Sequence, residues 1–160
     1  MLTSCKLTDS PEPSWANKWK RDTWIPPTTA IRAGFDYDGE PVFVGKTIYK
    51  GDHLPANVIP SKNICFFSYN GRQIENDTFE FLCTTNGEWV ECSNGEVPCN
   101  AVEGGETADG ETLYIGRIIR NSRGSVVVGK VHPSKKVCFV PLSGIEHQYS
   151  DYEVLALSIK

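Results

Sequence analysis

The sequence predicts an all-β protein made of two tandem antiparallel β-sheet repeats, related by a pseudo-two-fold axis and sharing one core. One residue pattern occurs twice, and the apolar runs are short and rich in β-branched and aromatic residues. No segment keeps a helical apolar period for three turns. A unit of about 70 residues with short strands buries little apolar surface alone, so the two copies are expected to share their core.

The repeat becomes visible when "AIRAGFDYDGEPVFVGK" (30–46) is laid on "AVEGGETADGETLYIGR" (101–117), at an offset of 71 residues. From "NVIPSKNICFF" (57–67) against "KVHPSKKVCFV" (130–140) the offset is 73, because the second copy has two extra residues in the preceding connection. The coinciding residues include Gly34/Gly105, Asp38/Asp109, Gly39/Gly110, Glu40/Glu111, Pro60/Pro133, Ser61/Ser134 and Cys65/Cys138.

Each copy opens on a tryptophan and closes on a strand, "FEFL" in the first and "YEVL" in the second. With Trp24 and Trp89 as the openings, the predicted organisation is an N-terminal arm (1–23), a first repeat (24–88) and a second repeat (89–160). Strand-like runs such as "PVFVGKTIY" and "TLYIGRII" are separated by Asp-Gly and Asn-Gly pairs, which favour tight hairpins. The arm is expected to pack its tryptophans on the core.

Composition restricts the partners. The net charge is −4 and no basic run is present, so a nucleic-acid partner has little electrostatic support. No apolar stretch approaches the ~18 residues of a membrane span, and membrane insertion is not expected. The N-terminus begins with Met1 and lacks the apolar segment of a secretory signal, which favours a cytoplasmic or non-classically released protein. Cys65 and Cys138 lie in apolar runs and are predicted to be buried thiols at equivalent core positions.

Taken together, Trp … Ala-Val/Ile-x-x-Gly … Asp-Gly-Glu-x-x-x-x-Gly … Gly-Lys-Val-x-Pro-Ser … Cys-Phe … Tyr-Glu-Val-Leu resembles the DM-nine repeat family of invertebrate proteins. The resemblance covers both copies, roughly 24–158. It implies a lectin that recognises mannose-type glycans without calcium, is rich in β-sheet and forms a homodimer. It also points to a role in pattern recognition or infection response.

The same resemblance assigns the binding pair of the second copy to Asp109 and Lys130. A carboxylate accepts hydrogen bonds from sugar hydroxyls and an ammonium donates to them, and their charges strengthen both. Glu111 points the same way as Asp109 on an extended chain and is a candidate supporting ligand. The first copy keeps Asp38 but has Asn57 in place of the lysine, so its site is expected to be weakened, retuned or inactive.

Two points stay open at this stage. Each aspartate could pair with the lysine position of its own copy or, across the pseudo-two-fold axis, with that of the other. Lys130 is expected at an exposed strand end, so that its removal would affect binding and not folding.

Other functions have weaker support. The alternative is a protein-interaction module with a vestigial sugar site. An enzyme acting on glycans ranks third, because two carboxylates such as Asp109 and Glu111 would need separated pKa values that the sequence does not reveal. No cofactor is expected, since no phosphate-binding glycine loop is present. No metal is expected either: Cys92, Cys99 and His132 match no structural zinc spacing, and His132 is predicted to be a turn or core histidine.

Overall fold

The structure, a computed structural model, describes residues 12–17 and 26–158, and this part of the chain is β throughout except for two 3₁₀ turns, Pro60–Lys62 and Pro133–Lys135. No helix in these residues has the length and apolar character needed to cross a membrane. The strands are β1 (Ser14–Asn17), β2 (Arg32–Phe35), β3 (Pro41–Tyr49), β4 (Asp52–Ile59), β5 (Ile64–Tyr69), β6 (Arg72–Asn76), β7 (Glu80–Cys83), β8 (Gly87–Ser93), β9 (Glu103–Glu106), β10 (Thr112–Ile119), β11 (Val126–His132), β12 (Val137–Leu142), β13 (Ile145–Tyr149) and β14 (Asp151–Leu157).

The predicted duplication is confirmed element by element. Strands β1 to β7 recur in the same order as β8 to β14, and the strand pairings are antiparallel in both. Each 3₁₀ turn ends on a residue in the left-handed region, Asn63 with φ 53° and Lys136 with φ 61°. The shared "PSK" sequence therefore produces the same local structure twice, which is what a pseudo-two-fold relation requires.

Eight strands close into a barrel in the order β4-β5-β6-β13-β12-β11-β10-β9 and back to β4. The repeats meet at two single bridges, Arg72 with Ile145 and His53 with Glu106. Gly105 is required at the second bridge, because a Cβ atom there would lie 2.0 Å from the carbonyl oxygen of His53. In the second repeat, the glycine of the recurring "AxxxG" segment thus permits the closure of the barrel.

The two repeats share one core, as predicted. The central cluster of buried side chains contains Val42 and Val44 from the first repeat together with Ile115, Val128 and Leu155 from the second. Burying apolar surface that neither repeat covers alone is the main force that holds the copies together.

The cysteine prediction also holds. Cys65 and Cys138 are fully buried, each in a flanking cluster of its own repeat. Burial raises the pKa of the Cys138 thiol, so it behaves there as a small apolar side chain.

The N-terminal part of the first repeat differs from the sequence-based division. Trp15 pairs with Leu82 in the same way that Trp89 pairs with Leu155, its counterpart. Each tryptophan is also covered by a cation 4.3 Å from its ring centroid, Lys46 over Trp15 and Arg117 over Trp89. Trp15, which the sequence analysis assigned to the arm, is therefore the true counterpart of Trp89, and the repeat begins before residue 24. Trp24 itself lies outside the described residues.

Candidate functional site

A cleft of about 840 Å³ lies between the two repeats, next to the bridge where β9 closes the barrel on β4. The second repeat lines it with the β9–β10 turn, the end of β11, the adjoining 3₁₀ turn and parts of β12 and β13, and the first repeat adds the tips of its β3–β4 and β5–β6 hairpins. This inter-repeat cleft contains three of the five predicted site residues: Asp109, Glu111 and Lys130.

Lys130 lies in the wall of the cleft, on β11, and its side chain is only 10% exposed. Its ammonium nitrogen donates to the carbonyl oxygen of Ser68, 3.0 Å away, and lies 3.0 Å from Oε2 of Glu146. The expectation of an exposed strand end is therefore wrong, because every residue of β11 is buried in the barrel. An ammonium carries three donors, and these contacts account for at most two of them.

Glu146 on β13 is the partner that the sequence analysis missed. Burial alone would raise the pKa of this carboxyl, but hydrogen bonds from Ser68 and Gly71 and the charge of Lys130 outweigh burial and lower it. Glu146 is therefore an anion that neutralises Lys130 inside the cleft. A signal was present in the repeat alignment: the first copy has Gln73 at the place of Glu146, so both charges are absent from that copy.

Asp109 is at the tip of the β9–β10 turn and is exposed. Gly110 follows it with φ 91°, a value that favours glycine, and no atom lies within 4 Å of a Cβ built there. Asp109 and Lys130, both of the second repeat, therefore line the same inter-repeat cleft, and Asp38 is not part of the lining. Of the two pairings that the sequence left open, the one within the second copy is the one whose residues share this cleft.

Glu111 is engaged by its neighbours at the mouth of the cleft. Its carboxylate accepts from the Ser134 hydroxyl at 2.6 Å and from the Ser134 amide at 2.9 Å, and lies 3.2 Å from Nδ1 of His132. Burial would raise the pKa of Glu111, but the Ser134 hydrogen bonds and His132 lower it. The carboxylate of Glu111 is thus held by Ser134 and His132 at the mouth of the cleft.

His132 faces the same group of charges. Burial lowers the pKa of its imidazole; Glu111 opposes this effect, and Lys135 and Lys130 add to it. The sequence predicts a turn or core histidine at this position, and the burial of His132 at the end of β11 confirms that much. Its place in the cleft wall was not foreseen. Among the residues that the structure describes, His, Cys, Asp and Glu side chains form no group of three that could hold a metal ion.

The first repeat does not form an equivalent site from its predicted residues. Asn57 is fully buried, and its amide donates to the carbonyl of Val128 at 2.8 Å and accepts from the Val128 amide at 2.6 Å. Asp38 is exposed and lies 2.9 Å from the Lys62 ammonium. The prediction of Asn57 as a ligand-binding residue is wrong, because its polar atoms join the two repeats and are not available to a ligand.

Fold and cleft together define a duplicated β-repeat protein with a polar site between its copies. The DM9 repeat family model matches residues 36–149, and the chain belongs to the DM9 repeat family.

Its relatives include two proteins of Thalassophryne nattereri. Natterin-3 is 40% identical over 85 residues, covering 53% of this chain and 19% of the relative. Natterin-4 is 27% identical over 146 residues, covering 89% of this chain and 34% of the relative. The chain therefore spans about a fifth to a third of the length of these relatives.

Among solved structures, the nematode sperm cell motility protein MFP2B matches with a TM-score of 0.61 over 93% of this chain and 45% of its own. At 15% sequence identity this likeness concerns the fold.

Proposed function

We propose that the chain is a lectin that binds mannose-type glycans without calcium in the inter-repeat cleft. The observation that supports this most is that Asp109 and Lys130, the pair indicated by the family pattern, line one cleft of the second repeat. Membership of the DM9 repeat family favours a lectin-like or immune-related role, with pattern recognition or infection response as the setting.

The cleft supplies the chemistry that a ring of hydroxyls requires. Lys130 has one N–H direction left to donate to a hydroxyl oxygen, and Ser68 and Glu146 fix the ammonium before a ligand arrives. Asp109 presents an exposed carboxylate as an acceptor. A fixed donor loses little conformational entropy on binding, which favours affinity for a small polar ligand. Because Glu146 neutralises Lys130, the cleft suits an uncharged polyol better than an anion.

Binding rather than catalysis fits the polar cluster at the mouth of the cleft. A Ser-His-carboxylate triad needs the two imidazole nitrogens to face different partners. Here Nδ1 of His132 lies 3.2 Å from both the Ser134 hydroxyl and Glu111. A glycosidase needs one carboxyl group with a raised pKa, whereas the pKa of Glu111 is lowered.

A homodimer remains part of this proposal. With the place of the binding lysine in the first repeat occupied by the buried Asn57, each chain offers one cleft of the proposed kind. A single small polar site binds a sugar weakly, and two chains joined rigidly would raise the avidity for a branched glycan.

The test is a calorimetric titration with methyl α-mannoside, with and without a calcium chelator. Asp109→Ala should weaken binding by about tenfold or more, the scale of losing a charged hydrogen-bond partner. Asp38→Ala is the matched control, since it removes an exposed acid from the same turn of the other repeat, and it should bind like the parent. A parent that binds no mannoside, or damage from Asp38→Ala alone, would contradict the proposal and favour the interaction-module alternative.

A further inference from the structure

The β3–β4 hairpin tip of the first repeat contacts the turn that carries Asp109. Oδ1 of Asp52, at the start of β4, accepts a hydrogen bond from the amide of Ala108 at 2.8 Å. The two turns are also packed closely, because a Cβ atom on Gly51 would lie 3.3 Å from the Cβ of Ala108. One repeat thus holds the residue that directly precedes the proposed ligand of the other repeat.

The equivalent turn of the first repeat is fixed by a side chain of its own. Oδ1 of Asp36 accepts from the amides of Asp38 and Glu40, both at 2.8 Å. The second repeat has Thr107 at the place of Asp36, and its hydroxyl accepts only the Glu111 amide, at 3.1 Å. The turn's own side chain therefore accepts one hydrogen bond fewer in the second repeat, and Asp52 of the first repeat holds the Asp109 turn at a different amide, that of Ala108.

A second side chain of the first repeat forms the wall beside Lys130. The ring centroid of Tyr69, at the end of β5, lies 5.9 Å from the Lys130 nitrogen. Its ring packs edge-on against Tyr49 at a centroid distance of 5.1 Å, and Tyr49 in turn packs on Phe67 at 5.4 Å. This chain of rings fixes the orientation of the Tyr69 face. The counterpart of Tyr69 in the second repeat is Leu142, which has no aromatic face.

We propose that the cleft is a composite site, in which the first repeat completes the site of the second. Asp52 is a positioning residue that fixes the turn bearing Asp109. Tyr69 is a ligand-contacting residue, and the apolar C–H face of a sugar held by Lys130 packs on its ring, as aromatic side chains allow. This inference rests on the proposed lectin function and assigns the first repeat a part in it. It also explains how the first repeat can lack its own binding lysine and still be needed.

The positioning role is tested with Asp52→Ala and Asp52→Asn, using methyl α-mannoside calorimetry and amide hydrogen exchange of Ala108. The alanine variant should bind about three- to tenfold more weakly, the scale of one lost hydrogen bond, and its Ala108 amide should exchange faster. The asparagine variant keeps an acceptor oxygen and should restore both readouts. Asp38→Ala removes another acid of the first repeat, one that does not line the cleft, and should leave both readouts unchanged. Normal mannoside affinity in Asp52→Ala, or unchanged Ala108 exchange, would overturn the positioning role.

The contact role is tested with Tyr69→Leu, which imports the side chain of the second repeat, and Tyr69→Phe, which keeps the aromatic face. The leucine variant should lose about three- to tenfold in mannoside affinity, and the phenylalanine variant should bind like the parent. Thermal unfolding of both variants shows that the barrel is intact, and if the leucine variant fails to fold, weak binding by folded Tyr69→Phe overturns the role. If the parent binds mannoside and Tyr69→Leu binds equally well, this role fails while the lectin proposal stands. A parent without mannoside affinity overturns both.

Discussion

The two repeats use the same position of the same strand in opposite ways. In the first repeat Asn57 extends across the barrel and joins β4 to the backbone of Val128 on β11. In the second repeat the position belongs to Lys130, whose ammonium is held by Glu146 and Ser68 beside an open cleft. The amide of Asn57 joins the copies at one place, and the ammonium of Lys130 lines the cleft at the other.

This difference shows what duplication permits within one barrel. The shared glycines, prolines and cysteines preserve the scaffold in both halves, so each half need not perform the same task. Two of the changes that separate the halves are Asn57 against Lys130 and Gln73 against Glu146. Asn57 and Gln73 of the first repeat are both neutral, and Lys130 and Glu146 of the second are both charged. The two repeats thus differ by a complete ion pair.

The largest expected effect is on stability, from Asn57→Lys. The new ammonium would be buried opposite the neutral Gln73 and would lose the Asn57–Val128 hydrogen bonds. We expect the free energy of unfolding to fall by about 3–5 kcal/mol, as for an uncompensated buried charge, measured by urea denaturation. Adding Gln73→Glu should recover part of this loss by supplying the partner that the second repeat has. If Asn57→Lys alone is as stable as the parent, the surroundings of Asn57 and Lys130 are not chemically distinct.

A smaller effect on stability is expected from Glu146→Gln, which places the residue of the first repeat in the second. Glutamine keeps the shape and can accept from the Gly71 amide, as Gln73 accepts from the Gly144 amide in the first repeat. It leaves Lys130 without its counter-charge, so we expect a loss of about 2–3 kcal/mol in denaturant unfolding. A double-mutant cycle with Lys130→Asn isolates the coupling between the two side chains. Additive losses would mean that the ion pair is not the unit that distinguishes the repeats.

The smallest effect concerns acid stability and His132→Ile, which imports Ile59 of the first repeat. The lowered pKa of His132 means that the unfolded chain binds a proton first as the pH falls from 7 through 6.5, so this residue weakens the fold on acidification. The free energy of unfolding falls for this reason by at most about 1.4 kcal/mol per pH unit. The variant should show a smaller fall in melting temperature between pH 7 and about 5.5. Below the ordinary 4.5 of glutamate, both proteins lose the stability contributed by Glu146. If the melting temperatures of the parent and of His132→Ile fall equally between pH 7 and about 5.5, His132 is not the source of this acid sensitivity.

Much of the fold could be predicted because the same residue pattern occurs twice in the chain. The predicted runs "PVFVGKTIY" and "TLYIGRII" coincide with β3 and β10, since buried β-branched residues recur along them. Strand β4 was not predicted because it contains Pro55, and β9 was not predicted because glycines predominate in it. In both, the close approach of another strand decides the structure, and local propensity does not reveal such an approach.

The site was predicted in part for a related reason. A motif can indicate which residue types meet a ligand, and Asp109 and Lys130 do line one cleft. It cannot show that Lys130 is buried, because burial depends on how β11 packs against the other repeat. Asp52 and Tyr69 were beyond reach as well, since their contacts to Ala108 and Lys130 join residues that are far apart in sequence.

The most direct test of the account is to map the sugar on the two repeats at once. Titration of methyl α-mannoside into isotope-labelled protein, followed by amide chemical shifts, reports every backbone position in one experiment. We expect shifts at Ala108, Gly110 and Lys130. We expect none at Gly39 and Asn57, which take the places of Gly110 and Lys130 in the first repeat. Shifts confined to Gly39 and Asn57, or shifts there as large as those at Gly110 and Lys130, would contradict the claim that the inter-repeat cleft is the sugar site.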